Sequence, residues 1–413
     1  MLDGQTHHSI ATWLAVSGLR NLPIEEMVDG VARRLNQVGV PVARIFVGTN
    51  TLHPVIRARS MIWDRATGPS THFEFPHGQI DAEVVRQSPF NSMLRGGISE
   101  RRHDLARPPA EDELPVFAEL RTAGMTDWLG RVFPFGELVP HVGGPSGPER
   151  VGELWLVCSF STDRQGGYTE SDFATLAALA PLFALAAKAT MLRTVGEGLL
   201  ATYLGADPAT RVLAGTVLRG EPQSVEAVLF YADLRGFTPL ADTLPGRELF
   251  VLLDECFACM VRPVSRHGGE VLKFLGDGLL AIFRIEERAD ERRRAEICAA
   301  ALAAASEALD LMDILSTERT GAGKSTPGLD IALHIGTVQY GNVGTDARLD
   351  FTVIGPAVNE AARIEALCKE LGQDLLVSQA FAAAATRSQA HLVSLGRHHL
   401  RGVREDTELF ALA

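Results

Sequence analysis

The stretch from Val228 to Thr238, VLFYADLRGFT, limits the folds open to this chain more than any other. An apolar run of strand character ends on a single acid, Asp233, and a glycine follows within three residues. A buried strand that leaves a carboxylate at its tip is unusual. The stretch from Glu270 to Phe283, EVLKFLGDGLLAIF, repeats the pattern, with Asp277 between two glycines and apolar runs on either side. Around these two stretches the patterning alternates. It predicts a strand at 226–232, a helix at 246–266, a hairpin at 270–284 and an alanine-rich helix at 289–313. Strands at 329–338 and 350–354, a helix at 356–371 and terminal strands complete the series. Strands alternating with helices, plus one hairpin, indicate an α/β or α+β domain.

That domain occupies only part of a 413-residue chain, and this length predicts two domains and a linker. The boundaries read as 1–190, a helical transducer linker at 191–223 and the second domain at 224–413. In the first half, SIATWLAVSGLRNLPIEEMVDGVARRLNQVG has helical periodicity broken at Pro23. ARIFVGTNTL and VIRARSMIWD read as adjacent strands joined by a turn at His53-Pro54. A proline-rich middle, including ARPPAEDELP, reads as irregular. Then come strand-like WLGRVFPF, a Gly/Pro loop GGPSGPERVG and strand-like ELWLVCSFS. Thr169, with Asp172 three positions on, has the spacing of a capping box. This ending, a strand followed by TDRQGGYTESDFATLAALAPLFALA, resembles the last strand and closing helix of GAF domains. The resemblance implies an antiparallel-sheet sensor flanked by helices, with a ligand or partner that the sequence leaves unknown.

Composition excludes some classes of function. Net charge is −12, with a pI near 5.5, so a general nucleic-acid binder is not expected. Five scattered cysteines give no disulfide framework and suit a reducing cytoplasm. Cys256 and Cys259 form a CxxC inside an apolar stretch of helical period, which reads as core packing. FATLAALAPLFALAA is shorter than the roughly 20 residues a bilayer needs and holds Pro181, so no membrane span is expected. TGAGKST, at 320–326, lacks the first glycine of a phosphate-binding loop and reads as a connecting loop.

The two aspartates carry the chemistry. Adjacent central strands would bring Asp233 and Asp277 together, and two close anions call for a cation. Hard oxygen ligands beside glycines suggest magnesium or manganese. The turn Gly236, Phe237 and Thr238 could present backbone N–H groups to phosphate oxygens. Lys273 lies in the strand leading to the Asp277 turn. Asn359 and Arg363, one helical turn apart, form an anion-stabilising pair. Glu360 and Glu365 lie off that face and read as surface acids.

FYADLRGFT, GGEVLKFLGDGLLAIF, LHIGTVQYGNVG and DFTVIGPAVNEAARIE, in this order, resemble the class III nucleotidyl cyclase catalytic domain over roughly residues 224–413. The resemblance implies a ferredoxin-like core, hence an α+β protein, with catalysis at a head-to-tail homodimer interface. It implies that Asp233 and Asp277 hold two Mg2+ or Mn2+ ions per site. Lys273 would read the purine, Asn359 and Arg363 would orient the ribose and stabilise the transition state, and Arg401 would lie near the terminal phosphates. Thr352 stands where most adenylyl members carry aspartate, and threonine there marks the class IIIb subgroup. With Lys273 it implies ATP as substrate and 3′,5′-cyclic AMP and pyrophosphate as products. A guanylate or mixed-specificity cyclase, or a catalytically silent nucleotide-binding regulator, are the rival readings.

Overall fold

The computed structural model describes residues 4–77, 87–137, 153–215, 222–345, 348–385, 392–403 and 405–412. The loop GGPSGPERVG lies outside them. The chain divides into two compact units, residues 1–199 and 200–413.

The first unit contains α1 (Gly4–Leu19), α2 (Ile24–Gln37), β1 (Arg44–Asn50), β2 (Ile56–Asp64), β3 (Gly68–Pro76), α3 (Pro89–Arg95), β4 (Glu100–Asp104), α4 (Pro115–Thr122), β5 (Asp127–Glu137) and β6 (Glu153–Thr162). Most of α5 (Glu170–Leu204) also belongs to it. Its six strands form one sheet of order β3-β2-β1-β6-β5-β4, with every pairing antiparallel. Strand alternation gives the sheet two apolar faces. Ile45, Val47, Leu156, Cys158 and Phe160 pack with α1, α2 and α5, while Trp128, Val132 and Val157 pack with Phe90 of α3 and Phe117 of α4. Asp172 N–H donates to Thr169 Oγ1 at 3.2 Å and Thr169 N–H donates to Asp172 Oδ2 at 2.8 Å, the reciprocal bonds of a capping box.

Two expectations change here. Within the middle read as irregular, residues 106–114 hold no helix or strand, but Pro89 and Pro115 occupy the first turns of α3 and α4, where a missing N–H costs nothing. Pro181 does not interrupt α5, which runs 35 residues. By length and composition α5 could cross a membrane, with a mean hydropathy of 1.6 in its most apolar window, half of which is buried. The apolar run 173–187, read as too short for a bilayer, is one part of this longer helix. Leu176, Leu179, Ala180, Phe183 and Ala187 instead keep one face of the helix on the core.

The second unit opens with α6 (Ala206–Leu213) and β7 (Gln223–Arg235). Then follow α7 (Phe237–Thr243), α8 (Gly246–Arg266), β8 (Glu270–Leu275), β9 (Gly278–Ile285) and α9 (Glu291–Gly321). The remaining elements are β10 (Gly328–Thr345), β11 (Arg348–Ile354), α10 (Pro356–Glu365), α11 (Cys368–Leu371), β12 (Leu375–Ser378), α12 (Gln379–Ala385), β13 (Leu392–His398) and β14 (Thr407–Leu412). Seven strands run β13-β14-β12-β10-β7-β9-β8, and β11 pairs with β10. Among the described residues only the β10–β12 pairing is parallel.

β7 is central, and both its faces are covered. Val228, Phe230, Ala232 and Leu234 face Leu252, Cys256, Met260 and Val264, a four-residue repeat on α8, and the alanine stripe of α9. Val225, Ala227 and Leu229 face Ala357 and Ala361 of α10. Cys256 is wholly buried in this core, where burial pushes its thiol up to about 12, and Cys259 packs against the same core half-buried. α6 is held to the same unit through Asp207, which accepts from Tyr340 Oη at 2.8 Å, Arg211 Nε at 2.6 Å and Arg284 Nη2 at 2.7 Å.

Candidate active site

β7 carries Asp233 to the end of its pairing with β9, where Ala232 stands opposite Leu279, and the β8–β9 turn carries Asp277 to the same end. The turn approaches so closely that a Cβ on Gly278 would lie 2.8 Å from both Ala232 O and Asp233 Oδ1. A side chain there would displace either the strand or the carboxylate. Burial, then the charge of Asp277, raises the Asp233 pKa against the Leu234 N–H that lowers it. The two acids therefore share one field, as their strand positions predicted.

Two further acids face that field. Asp330 stands opposite Asp233 in the β7–β10 pairing and accepts from Arg235 Nη1 at 2.6 Å. Burial outweighs that guanidinium and pushes its carboxyl up to about 6. Glu365, at the end of α10, is pushed up to about 7 by burial and by the charges of Asp233, Asp330 and Asp277. This corrects the reading of Glu365 as a surface acid. Glu360 is corrected too: its Oε2 lies 3.4 Å from Nε2 of the buried His334. Helical period alone missed both residues, because it says which face a residue occupies and not what that face meets.

A metal ion fits the aspartate pair in kind. Among the described residues no group of three or more His, Cys, Asp or Glu side chains could close around an ion. Two carboxylates that repel each other, with positions left for water and phosphate, are the donor set of a magnesium site completed by its substrate.

The 235–238 turn is tighter than the sequence suggested. β7 continues to Arg235, Gly236 alone takes the left-handed conformation at φ +81°, and α7 begins at Phe237. The Phe237 ring packs against the core, so what remains to meet a phosphate is backbone N–H, with Thr238 exposed beside it.

A second group of candidates forms around β8 and β11. Lys273 Nζ lies 3.5 Å from Asp350 Oδ2, and strand alternation puts Asp350 and Thr352 on one face of β11. Thr352 is 5% exposed, and its hydroxyl has no hydrogen-bond partner. Such an orphan costs stability and points to a ligand that would satisfy it.

Asn359 and Arg363 line a separate cavity of about 740 Å³ together with Ile354, Pro356, Gly402 and Val403. A Cβ on Gly402, whose φ is +76°, would sit 3.5 Å from Arg363 Nη2. Arg401 is exposed on the same turn but does not line the cavity. Asp233 and Asp277 do not line it either. The candidates thus fall into an aspartate end, a Lys273–Thr352 face and an Asn359–Arg363 cavity.

Residues 221–413 match the family described as the Adenylate and Guanylate cyclase catalytic domain. An adenylate cyclase of Anabaena cylindrica is 33% identical over 163 residues, covering 39% of this chain and 31% of that protein. An uncharacterised protein of Mycobacterium tuberculosis, Rv1319c, is 33% identical over 204 residues, covering 48% of this chain and 36% of that one. The matches span about a third of the length of these curated relatives. Among solved structures, a bacterial light-regulated adenylyl cyclase is 31% identical, covering 46% of this chain and 91% of that one at a TM-score of 0.39. The adenylyl cyclase CyaB from P. aeruginosa is 23% identical, with coverages of 47% and 96% and a TM-score of 0.42. The C-terminal half of the chain is therefore a class III adenylate/guanylate cyclase catalytic domain.

Proposed function

We propose that the protein is an adenylate cyclase that closes ATP to 3′,5′-cyclic AMP with release of pyrophosphate, at sites shared between two copies of the chain. The observation that carries this reading is the approach of Asp233 and the Asp277 turn at one strand end, where burial and then the charge of Asp277 raise the Asp233 pKa. Bound there, Mg2+ or Mn2+ ions would lower the pKa of the ribose 3′-hydroxyl and offset charge on the phosphates.

The chain's own side chains would supply the remainder. N–H groups of Phe237 and Thr238 meet phosphate oxygens at the start of α7. Arg363 offsets the charge that builds on the α-phosphoryl oxygens as the 3′-oxygen attacks, and Asn359 holds the ribose in line. Arg401 meets the terminal phosphates. Lys273 donates to the purine ring, and the Thr352 hydroxyl accepts from the adenine amino group, which satisfies its orphaned oxygen. The Anabaena relative, an adenylate cyclase, supports ATP as substrate.

The three-part division of the site supports a homodimer. In that arrangement Asp233 and Asp277 come from one copy and Lys273, Thr352, Asn359 and Arg363 from its partner. Phe274, Val343, Leu349 and Ile354, exposed on β8, β10 and β11, give a second copy apolar surface to cover. The first unit would regulate the second as a GAF-like sensor. A cavity of about 350 Å³ within it, floored by Val47, Met61 and Met191 and rimmed by His53, Arg59 and His72, has room for a small effector.

The test is cyclic nucleotide formation by the purified protein with Mg2+ or Mn2+, offering ATP and GTP separately. Cyclic AMP from the wild type is expected, with a loss of at least about a hundredfold in Asp277→Ala. Cyclic GMP as the main product would overturn the Lys273–Thr352 reading alone, and equal rates in wild type and Asp277→Ala would overturn the site.

A further inference from the structure

We propose that His334 is a positioning residue for this reaction: from inside the sheet it holds Glu360, and through Glu360 it sets the rotation of α10 that presents Asn359 and Arg363. The inference rests on the functional reading above and extends it to a residue outside the substrate's reach.

His334 lies in the middle of β10, opposite Leu229 of β7, and is 7% exposed. Its Nδ1 is 2.9 Å from Ser378 Oγ, which in turn accepts the Phe381 N–H at 3.2 Å. Its Nε2 is 3.4 Å from Glu360 Oε2. These contacts select one tautomer. The Ser378 hydroxyl donates to Nδ1, so the ring proton resides on Nε2 and faces the Glu360 carboxylate. The opposite tautomer would set a ring lone pair against an anion. Burial pulls the pKa of His334 down to about 4, so the ring is neutral near pH 7 and keeps one donor and one acceptor.

α10 needs such a restraint. The helix has only ten residues and no side chain caps its N-terminus at Gly355. Its underside rests directly on β10, where a Cβ on Gly336 would come within 2.4 Å of Ala357 Cβ and 3.3 Å of His334 Nε2. That contact fixes the height of the helix above the strand. Small apolar contacts at Ala357 and Ala361 resist rotation weakly, and the 3.4 Å approach of His334 Nε2 to the Glu360 carboxylate adds an electrostatic restraint. Glu360 adjoins Asn359 and precedes Arg363 by three residues, so all three turn together. Side chains reach about 5–6 Å from a helix axis, so a rotation of about 10° would move Arg363 by about 1 Å. A misplacement of about 1 Å costs on the order of a hundredfold in rate.

The experiment compares full-length wild type with His334→Leu, His334→Gln, Glu360→Ala and the His334→Leu/Glu360→Ala pair. Three quantities are read: kcat and KM for ATP, thermal midpoint, and amide hydrogen exchange in 356–365. In His334→Leu, kcat is expected to fall about 10- to 100-fold with KM changed less than about threefold. His334→Gln, which keeps a donor and an acceptor, recovers part of that loss. The double variant is no slower than His334→Leu, because the two residues act as one unit. Exchange in 356–365 accelerates at temperatures where the thermal midpoint shows the protein folded, while exchange in 270–285 does not change. Wild-type exchange in 356–365, multiplicative effects in the double variant, or activity that only follows the folded fraction would each overturn the proposal. A wild type that forms no cyclic nucleotide would overturn the functional reading, and the exchange data would still decide the role of His334.

Discussion

Replacing Thr352 with valine removes one hydroxyl and keeps the β-branched shape that β11 packs. In the free protein that hydroxyl is buried and unpartnered, so its loss should leave stability unchanged or raise it by up to about 1 kcal/mol. In the proposed ATP complex the same hydroxyl meets the adenine, so kcat/KM for ATP should fall roughly tenfold or more. Calorimetry and steady-state kinetics on Thr352→Val test both signs. A lower thermal midpoint accompanying the lower activity would mean that Thr352 serves packing and not the purine. Glu365 gives a pH prediction. Its carboxyl titrates near 7 in the folded chain and near 4.5 when unfolded. Between those values the folded state binds more protons, so stability falls as pH rises through that window. Metal-free protein should therefore lose thermal stability from about pH 5 to pH 7, and Glu365→Gln should flatten the decline. Parallel profiles for the two proteins would refute this.

Elements differ in how much of their structure the sequence declared. α8 was readable from 246 to 266 because Leu252, Cys256, Met260 and Val264 recur every fourth residue on one buried face. β7 was readable because both its faces are apolar, and for the same reason Asp233 stood out at its end. β4, with the sequence ERRHD, was not readable, since an edge strand with one partner needs no apolar alternation. α3 and α4 were hidden by prolines taken as breakers, though a proline in the first turn starts a helix. Pro181 misled in the opposite way, since packing along the face of α5 outweighed one missing hydrogen bond. At the site, the nearness of Asp233 and Asp277 followed from two strand ends in one sheet. The contacts of Glu360, Glu365, Asp330 and His334 depend on which helix covers which strand, and a periodicity carries no such long-range information.

At the scale of the whole molecule, the proposed site is complete only when two copies meet, and this makes a prediction that no single-chain enzyme would satisfy. Asp277→Ala lacks an acid of the aspartate end, and Arg363→Ala lacks the guanidinium of the cavity. Each variant alone should be inactive, because both sites of its homodimer carry the same defect. When the two are mixed and allowed to exchange, half of the dimers become mixed. In a mixed dimer one site collects both substitutions and the other collects neither. Half of the dimers with one good site of two gives about a quarter of the wild-type rate at equal total protein. The expected observation is recovery towards that fraction on mixing, with a time course set by subunit exchange. Recovery should fail when both substitutions sit on one chain and the partner is either single variant, because no site in that mixture is free of both. If the mixture of single variants stays as inactive as its components while gel filtration shows that exchange has occurred, each site is built within one chain. The division into aspartate end and Asn359–Arg363 cavity would then have to be closed by movement inside a single copy.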